Sequence, residues 1–165
     1  MDKYYYLVAR LPYLYFEKEP TISIDNFLEE AATSLSRRDY AILSRVRYNS
    51  TDSGISKPRL LKEYIQQELQ FRTELAAWRK AQKEGVDYKT ESFPVSLVRE
   101  GNPLEIERAL LKRRWDLISQ VEHDFHFDLE CLILYYFKLQ ILEKLSSYDK
   151  EEGLAIFKKI SKVEI

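Results

Sequence analysis

The stretch that decides the fold is residues 58–83, which read PRLLKEYIQQELQFRTELAAWRKAQK. After Pro58 it contains no glycine and no second proline, and Gly85 follows just beyond it. Proline is tolerated in the first turn of a helix, and glycine is favoured just after the last turn. We therefore predict one long helix over about 58–83, roughly 39 Å in length at a rise of 1.5 Å per residue.

The apolar residues of this stretch form two adjacent stripes at helical spacing. The first stripe contains Leu61, Ile65 and Leu69, and the second contains Phe71, Leu75 and Trp78. Two stripes side by side predict a helix that contacts two neighbouring elements. A helix of this length is a strut more than a compact core element.

The composition indicates helices in the rest of the chain as well. Four glycines and five prolines occur among 165 residues, below the roughly 12% of ordinary usage. Leu, Glu, Lys, Arg and Gln, which favour helices, are frequent. The formal net charge is −1, from 26 Lys or Arg and 27 Asp or Glu residues. This balance excludes a strongly basic nucleic-acid binder as the default interpretation.

Helix start signals divide the chain further. Residues 102–105 (NPLE) combine an N-cap, a proline at the first position and an acid at the third, which predicts a helix to about Glu122. A helix is also predicted to begin near Ser23 or Asp25. Residues 36–39 (SRRD) resemble a capping box and predict a short helix to about Tyr48.

The last third of the sequence predicts two more helices. Residues 123–127 read as a break, and Asp124 or Asp128 can cap the helix that follows. Asp149 is expected to begin a separate short helix at the end of the chain. The apolar stripe of that last helix contains Leu154, Phe157 and Ile160. Residues 49–54 and 86–101 are expected to be irregular links.

The N-terminal segment, residues 4–11 (YYYLVARL), permits two interpretations. Its aromatic residues and alternation favour a strand, whereas its apolar residues also fit one stripe of a helix. No later segment offers a strand partner, so we favour a helix, with Asp2 as its cap and Pro12 at its end.

These patterns predict an all-α fold, a multi-helix bundle with one long helix and an irregular, aromatic-rich N-terminal segment. We expect a single helical domain over 1–165, with a possible N-terminal subregion at 1–48 and a helical body at 56–165.

The sequence also favours a cytoplasmic location. The single cysteine, Cys131, excludes an intramolecular disulfide framework. The N-terminus has no basic region leading into an apolar one, so no signal peptide is predicted. The longest uncharged apolar run, 131–137 (CLILYYF), is far shorter than the roughly 20 residues of a membrane-spanning helix.

The sequence lacks the glycine motifs of common nucleotide sites and has one cluster of potential metal ligands. The glycines, at 54, 85, 101 and 153, form neither Gly-x-x-x-x-Gly-Lys nor Gly-x-Gly, which excludes phosphate-binding loops of those types. Residues 122–131 (EHDFHFDLEC) gather potential ligands, and His123 and His126 can share one helix face. The favoured interpretation is a solvated turn whose acids cap a helix, with no metal and no cofactor. The alternative is a metal-dependent helical enzyme.

Two further chemical classes are disfavoured. Cys131 lies within an apolar helix, where cysteine is usually inert. The basic runs at 37–38, 79–80 and 112–114 are interleaved with acids, as on a solvated helix face. We therefore expect no nucleic-acid partner, although a helical adaptor or RNA-binding module remains an alternative. The 12 tyrosines instead suit a protein interface, where the ring is apolar and the hydroxyl stays wet.

The opening 4–12 (YYYLVARLP) resembles the start of an uncharacterised bacterial family encoded among the subunits of V-type (A/V-type) rotary ATPases. It is also similar, more loosely, to the N-terminal helix of the C/d-type central-stalk subunit, in which an aromatic residue precedes Asn-Ala-Arg. Near the other end, Lys138 and Leu145 match the closing pattern of C/d-type subunits. The positions that depart from that pattern are Leu139, Lys144 and Ser146.

The resemblance implies a non-catalytic role. C/d-type subunits are all-helical, sit on the membrane rotor ring and receive the central shaft. By this resemblance the chain is expected to be a subunit or accessory protein of a bacterial V/A-type ATPase, in the cytoplasm and peripheral to the inner membrane through its partners. Its expected role is central-stalk coupling or assembly in proton or sodium transport. The expected interface residues are Tyr4, Tyr5, Tyr6, Arg10, Lys138 and Leu145, together with the long 58–83 helix.

Overall fold

A computed structural model describes residues 4–50 and 58–163. Within these two ranges the chain is all-helical, as predicted, and contains no β-strand. The α-helices, in chain order, are α1 (Tyr5–Arg10), α2 (Ile24–Ser34), α3 (Arg37–Leu43), α4 (Arg59–Glu84), α5 (Ser96–Arg99), α6 (Pro103–Val121) and α7 (Leu129–Val163). A short 3₁₀ turn, Glu122–Asp124, joins α6 to α7. No helix in the described ranges combines the length and apolarity that crossing a membrane requires.

The first half of α7 forms the centre of the main core. At positions 132–142 every side chain except Tyr135 is buried. Helices α1, α2, α3 and α6 and the start of α4 pack around it in one hydrophobic cluster. Phe27 of α2 is fully buried there, with its ring centroid 5.5 Å from those of Tyr135 and Tyr136. Residues of the N-terminal 4–48 stretch therefore share their core with the helical body.

A second, smaller cluster surrounds the C-terminal half of α4. Phe71, Leu75 and Trp78 pack there with side chains of the 93–98 segment and with Leu110 of α6. Helix α4 thus contacts two sets of neighbours, as its apolar pattern predicted.

The predicted burial of one residue in that pattern is wrong. Leu69, predicted to be in the core, is 50% exposed, and Glu68 is buried in its place, 4% exposed. The inward face of α4 runs through positions 61, 65, 68 and 71, each three or four residues from the last. Because position 68 carries a charge, the apolar pattern pointed to its neighbour instead.

The predicted caps are largely confirmed. The Ser23 hydroxyl accepts a hydrogen bond from the Asn26 amide, 3.1 Å away. Asn102 and Glu105 form a complete capping box at the start of α6. The Asp128 carboxylate accepts from the Cys131 amide at 2.9 Å. Gly85 ends α4 in the left-handed conformation, with a φ of 68°.

The N-terminal segment is a helix, α1, as favoured from the sequence, and it ends at Arg10 before Pro12. The predicted cap, Asp2, lies outside the described residues. Tyr4 is the N-cap and makes no capping hydrogen bond with its side chain.

The prediction that α3 extends to about Tyr48 is wrong, because α3 ends at Leu43. Beyond it the backbone bonds to α7 instead. The Tyr48 amide donates to Gln140 Oε1, and Gln140 Nε2 donates to the Val46 carbonyl, both at 2.9 Å. At 36–39 the Ser36 hydroxyl caps α3 by accepting a hydrogen bond from the Asp39 amide at 3.2 Å, and the Asp39 carboxylate accepts one from the Tyr4 hydroxyl.

The prediction of a separate last helix that begins at Asp149 is wrong as well. Helix α7 runs without a break from Leu129 to Val163, 35 residues. The Asp149 carboxylate does not begin a helix but pairs with Arg108 of α6 at 2.6 Å. In addition, the 86–101 link contains the short helix α5.

The placement of Ile65 and Leu69 can be tested by truncating each to alanine. Ile65→Ala opens a cavity in the core and is expected to lower the free energy of unfolding by about 2–5 kcal/mol. Leu69→Ala removes an exposed side chain and should change it by about 0.5 kcal/mol or less. Urea unfolding followed by circular dichroism measures both. Equal losses at the two positions would show that α4 is rotated from the orientation described.

Candidate protein interface and buried charge cluster

Helix α1 is fixed to the body by one of its faces. The Tyr4 amide donates to the Phe127 carbonyl at 2.8 Å, and the Tyr4 ring is buried. Leu7, one turn further along, is buried on the same face. The Tyr4 hydroxyl reaches Asp39 of α3. These contacts hold α1 against the start of α3 and against the turn that precedes α7.

The opposite face of α1 is exposed and aromatic. Tyr5 is 55% and Tyr6 is 76% exposed. The Tyr5 ring centroid lies 4.6 Å from that of Phe127, and the Arg10 guanidinium lies 5.8 Å from the centroid of the Tyr6 ring. Exposed tyrosine beside arginine is typical of protein interfaces, because both residues give large contact areas with a polar end. We call Tyr5, Tyr6 and Arg10 the α1 surface.

Two expected interface residues lie in the core instead. Lys138 and Leu145 of α7 are both buried. The Lys138 ammonium donates to Glu122 Oε2 at 2.8 Å and lies 4.8 Å from the centroid of the Trp115 ring. This lysine therefore joins α7 to the end of α6. Tyr4 is buried too, so the α1 surface is the exposed part of the expected interface.

The sequence analysis missed a second pair of exposed tyrosines. Tyr13 and Tyr15 lie on either side of the buried Leu14, with their ring centroids 4.7 Å apart. The Lys18 ammonium lies 4.9 Å from the Tyr15 centroid. The alternation of tyrosine, leucine and tyrosine after Pro12 was the available signal, because alternate residues of an extended segment point to opposite sides.

A buried charge cluster lies between α4 and α6. The Arg114 guanidinium donates to both oxygens of Glu68, at 2.6 and 3.2 Å. Arg72 donates to the same carboxylate at 3.1 Å and to the Asn49 carbonyl at 2.6 Å. Burial lowers the pKa of Arg114, but the hydrogen bond and the charge of Glu68 outweigh it, so the pKa is raised overall. The cluster connects α4 and α6 to each other and to the loop after Tyr48.

Tyr64 lies beside this cluster with its hydroxyl buried. Its oxygen has no hydrogen-bond partner among the described residues. Burial, and secondarily the negative charge of Glu68, raises the pKa of Tyr64 well above its ordinary value of 10.0. Tyr135 contrasts with it, because its hydroxyl donates to the Pro12 carbonyl at 2.6 Å.

The His123 and His126 side chains are exposed on the turn between α6 and α7. Across residues 4–50 and 58–163, no group of three or more His, Cys, Asp or Glu side chains is placed to hold a metal ion. Burial raises the pKa of the nearby Cys131 thiol, which disfavours the reactive thiolate. The turn thus gives no geometric support to the metal-enzyme alternative.

A cleft with a volume of about 1210 Å³ lies between the 17–26 segment and α7. Its α7 side includes the buried Leu139, Leu142 and Leu145. Arg108 and its partner Asp149 stand on its lining. A smaller cavity of about 190 Å³ lies between α1 and α7 and includes the Lys138–Glu122 pair.

No protein-family model, no curated protein and no solved structure matches this chain.

The buried charge cluster is tested by removing its carboxylate. Glu68→Ala leaves Arg114 buried without its counter-charge, and we expect a loss of about 3–5 kcal/mol in the free energy of unfolding. The control is Glu63→Ala on the same helix, where Glu63 pairs with Arg59 in solvent at 2.8 Å. That loss should be about 0.5 kcal/mol or less. Urea denaturation measures the free energy of unfolding of both variants. A loss for Glu68→Ala as small as that for Glu63→Ala would contradict the description of Glu68 and Arg114 as a buried charge pair.

The Tyr64 hydroxyl is tested by removing single oxygens. Tyr64→Phe deletes a buried group without a described partner and should leave stability unchanged or raise it by about 1 kcal/mol. Tyr135→Phe deletes a hydrogen bond and should cost about 1 kcal/mol. Thermal unfolding compares the two, and a larger loss for Tyr64→Phe would show that its hydroxyl is bonded.

The raised pKa of Tyr64 adds a pH dependence to this pair. Above pH 10 the unfolded chain ionises this tyrosine, whereas the folded chain keeps its proton, so rising pH favours unfolding. The wild type should therefore lose more stability than Tyr64→Phe above pH 10, and the two should be parallel below it.

Proposed function

We propose that this chain is a non-catalytic subunit or accessory protein of a bacterial V/A-type rotary ATPase. Its role would be to couple the central stalk to the membrane rotor ring, or to help assemble them, during proton or sodium transport. The mechanism is mechanical: stiff helices and complementary surfaces carry force, and no covalent bond changes.

The observation that carries the proposal is the α1 surface. The 4–12 segment that resembles the ATPase-associated family contains α1, and its Tyr4 and Leu7 side chains are buried in the core. The other side of the same helix presents two exposed tyrosines and an arginine. A helix fixed on one side and aromatic on the other is suited to a partner protein, because its docked geometry costs little entropy on binding.

The long helices support a force-bearing role. At 1.5 Å per residue, α4 is about 39 Å long and α7 about 52 Å long. They lie against a shared neighbour, α6: the Glu68–Arg114 pair joins α4 to α6, and the Lys138–Glu122 pair joins α7 to the 3₁₀ turn that follows α6. Both pairs lie toward the C-terminal end of α6 and resist sliding of one helix along another, because sliding leaves a buried charge unpaired.

The proposal is tested by affinity purification from a bacterium that expresses the tagged chain, after gentle detergent extraction. Mass spectrometry should find stalk or rotor-ring subunits of the ATPase with the wild-type chain. Tyr5→Ala/Tyr6→Ala should reduce their recovery at least tenfold, because it removes most of the aromatic area of the α1 surface.

The matched control is Tyr88→Ala, which removes an exposed tyrosine from the link after α4. Its recovery should equal that of the wild type. Recovery of unrelated proteins alone would reject the ATPase proposal. Undiminished recovery with the double variant would reject the α1 surface as the binding site.

A further inference from the structure

The second half of α7 carries an exposed apolar stripe. Leu154, Phe157 and Ile160 are 55%, 67% and 56% exposed. They follow one another at three-residue steps, so they form one band along the helix. Lys158 and Lys159, in the same turns, are also exposed. This segment is therefore apolar along one side and basic beside it.

The stripe and the cleft lie on the same face of α7. Eighteen residues make five turns of an α-helix, so positions 18 apart point in the same direction. Phe157 therefore lies directly above Leu139, and Ile160 lies directly above Leu142. Because α7 is continuous over Leu129–Val163, this relation holds along its length. Both Leu139 and Leu142 line the cleft.

We propose that two copies of this chain associate through this face, with the α7 stripe of each copy seated in the cleft of the other. The two α7 helices run antiparallel about a two-fold axis. Such an arrangement is self-complementary, since a single surface supplies both the inserted segment and the cleft that receives it.

The register follows from the positions on the helix. An axis beside position 151 brings 154, 157 and 160 of one copy level with 148, 145 and 142 of the other. The stripe then comes level with the stretch of α7 that lines the cleft. Lys158 comes level with position 144 of the second copy, within reach of the neighbouring Glu143.

The size and charge of the cleft agree with this occupant. Its volume of about 1210 Å³ exceeds the roughly 300–1,000 Å³ of small-molecule pockets. The described lining carries five carboxylates and three cations, and one of those cations, Arg108, is paired with Asp149. The acids are Glu17, Glu19, Asp25, Glu143 and Asp149. A segment with exposed lysines complements this charge.

Sedimentation equilibrium of the purified full chain tests the proposal, independently of any ATPase partner. We expect a dimer for the wild type. Ile160→Glu should raise the dimer dissociation constant at least tenfold, because it inserts a carboxylate into an acidic cleft. Leu69→Glu is the control: it alters a similarly exposed leucine on α4 and should leave the dissociation constant unchanged.

Charge reversal gives a test of register. Glu143→Lys and Lys158→Glu should each weaken the dimer, since each places like charges together. The two changes combined in one chain should restore it, because the pair is then reversed in both copies.

A chain that stays monomeric at about 100 µM, a concentration at which a dimer of ~1 µM dissociation constant is almost fully formed, would overturn the proposal. So would a dimer weakened by Leu69→Glu and not by Ile160→Glu. A monomer that binds another protein or anionic vesicles through Ile160 would assign this face to a different occupant and overturn it equally.

Discussion

The rest of the structure depends on the burial of α7 between positions 132 and 142, where protein surrounds the helix on almost every side. A helix that is apolar all round must be covered all round, so the remaining helices are arranged as its covering. Two polar side chains, Lys138 and Gln140, are buried with the apolar ones. Neither can remain without a partner in this environment, because an unpaired buried polar group costs more than its hydrogen bond returns.

The partners of these two side chains determine where the neighbouring segments lie. Gln140 binds the backbone at Val46 and Tyr48, so the chain after α3 is held against α7. Lys138 binds Glu122, so the end of α6 meets α7 at one level only. Apolar contacts alone tolerate several arrangements of similar volume, whereas a buried polar group is satisfied in few. These bonds therefore contribute more to the specificity of the fold than to its total stability.

Local signals in the sequence were sufficient where local interactions decide the structure. The caps at Ser23 and Asn102 and the glycine after α4 act within a few residues, and they were predictable. The errors concern residues whose partners are distant in sequence: Asp149 pairs across 41 positions, and Glu68 pairs with Arg114 across 46. The same reason explains why the sequence did not predict the burial of two expected interface residues. The outward side of α1 is set by its own helical pattern, but burial of Lys138 and Leu145 depends on the whole core.

The continuity of α7 connects the buried core to the exposed surface. Its first half is held by the core and by Lys138, so its rotation about its own axis is fixed. A continuous helix transmits that rotation to its second half, and the direction of the exposed stripe is then set by residues more than three turns away. A break of α7 at Asp149 would have left the direction of the exposed stripe independent of the buried first half of the helix. Helix α7 instead continues through Asp149, which pairs with Arg108 of α6, so the stripe and the cleft-lining residues belong to one helix.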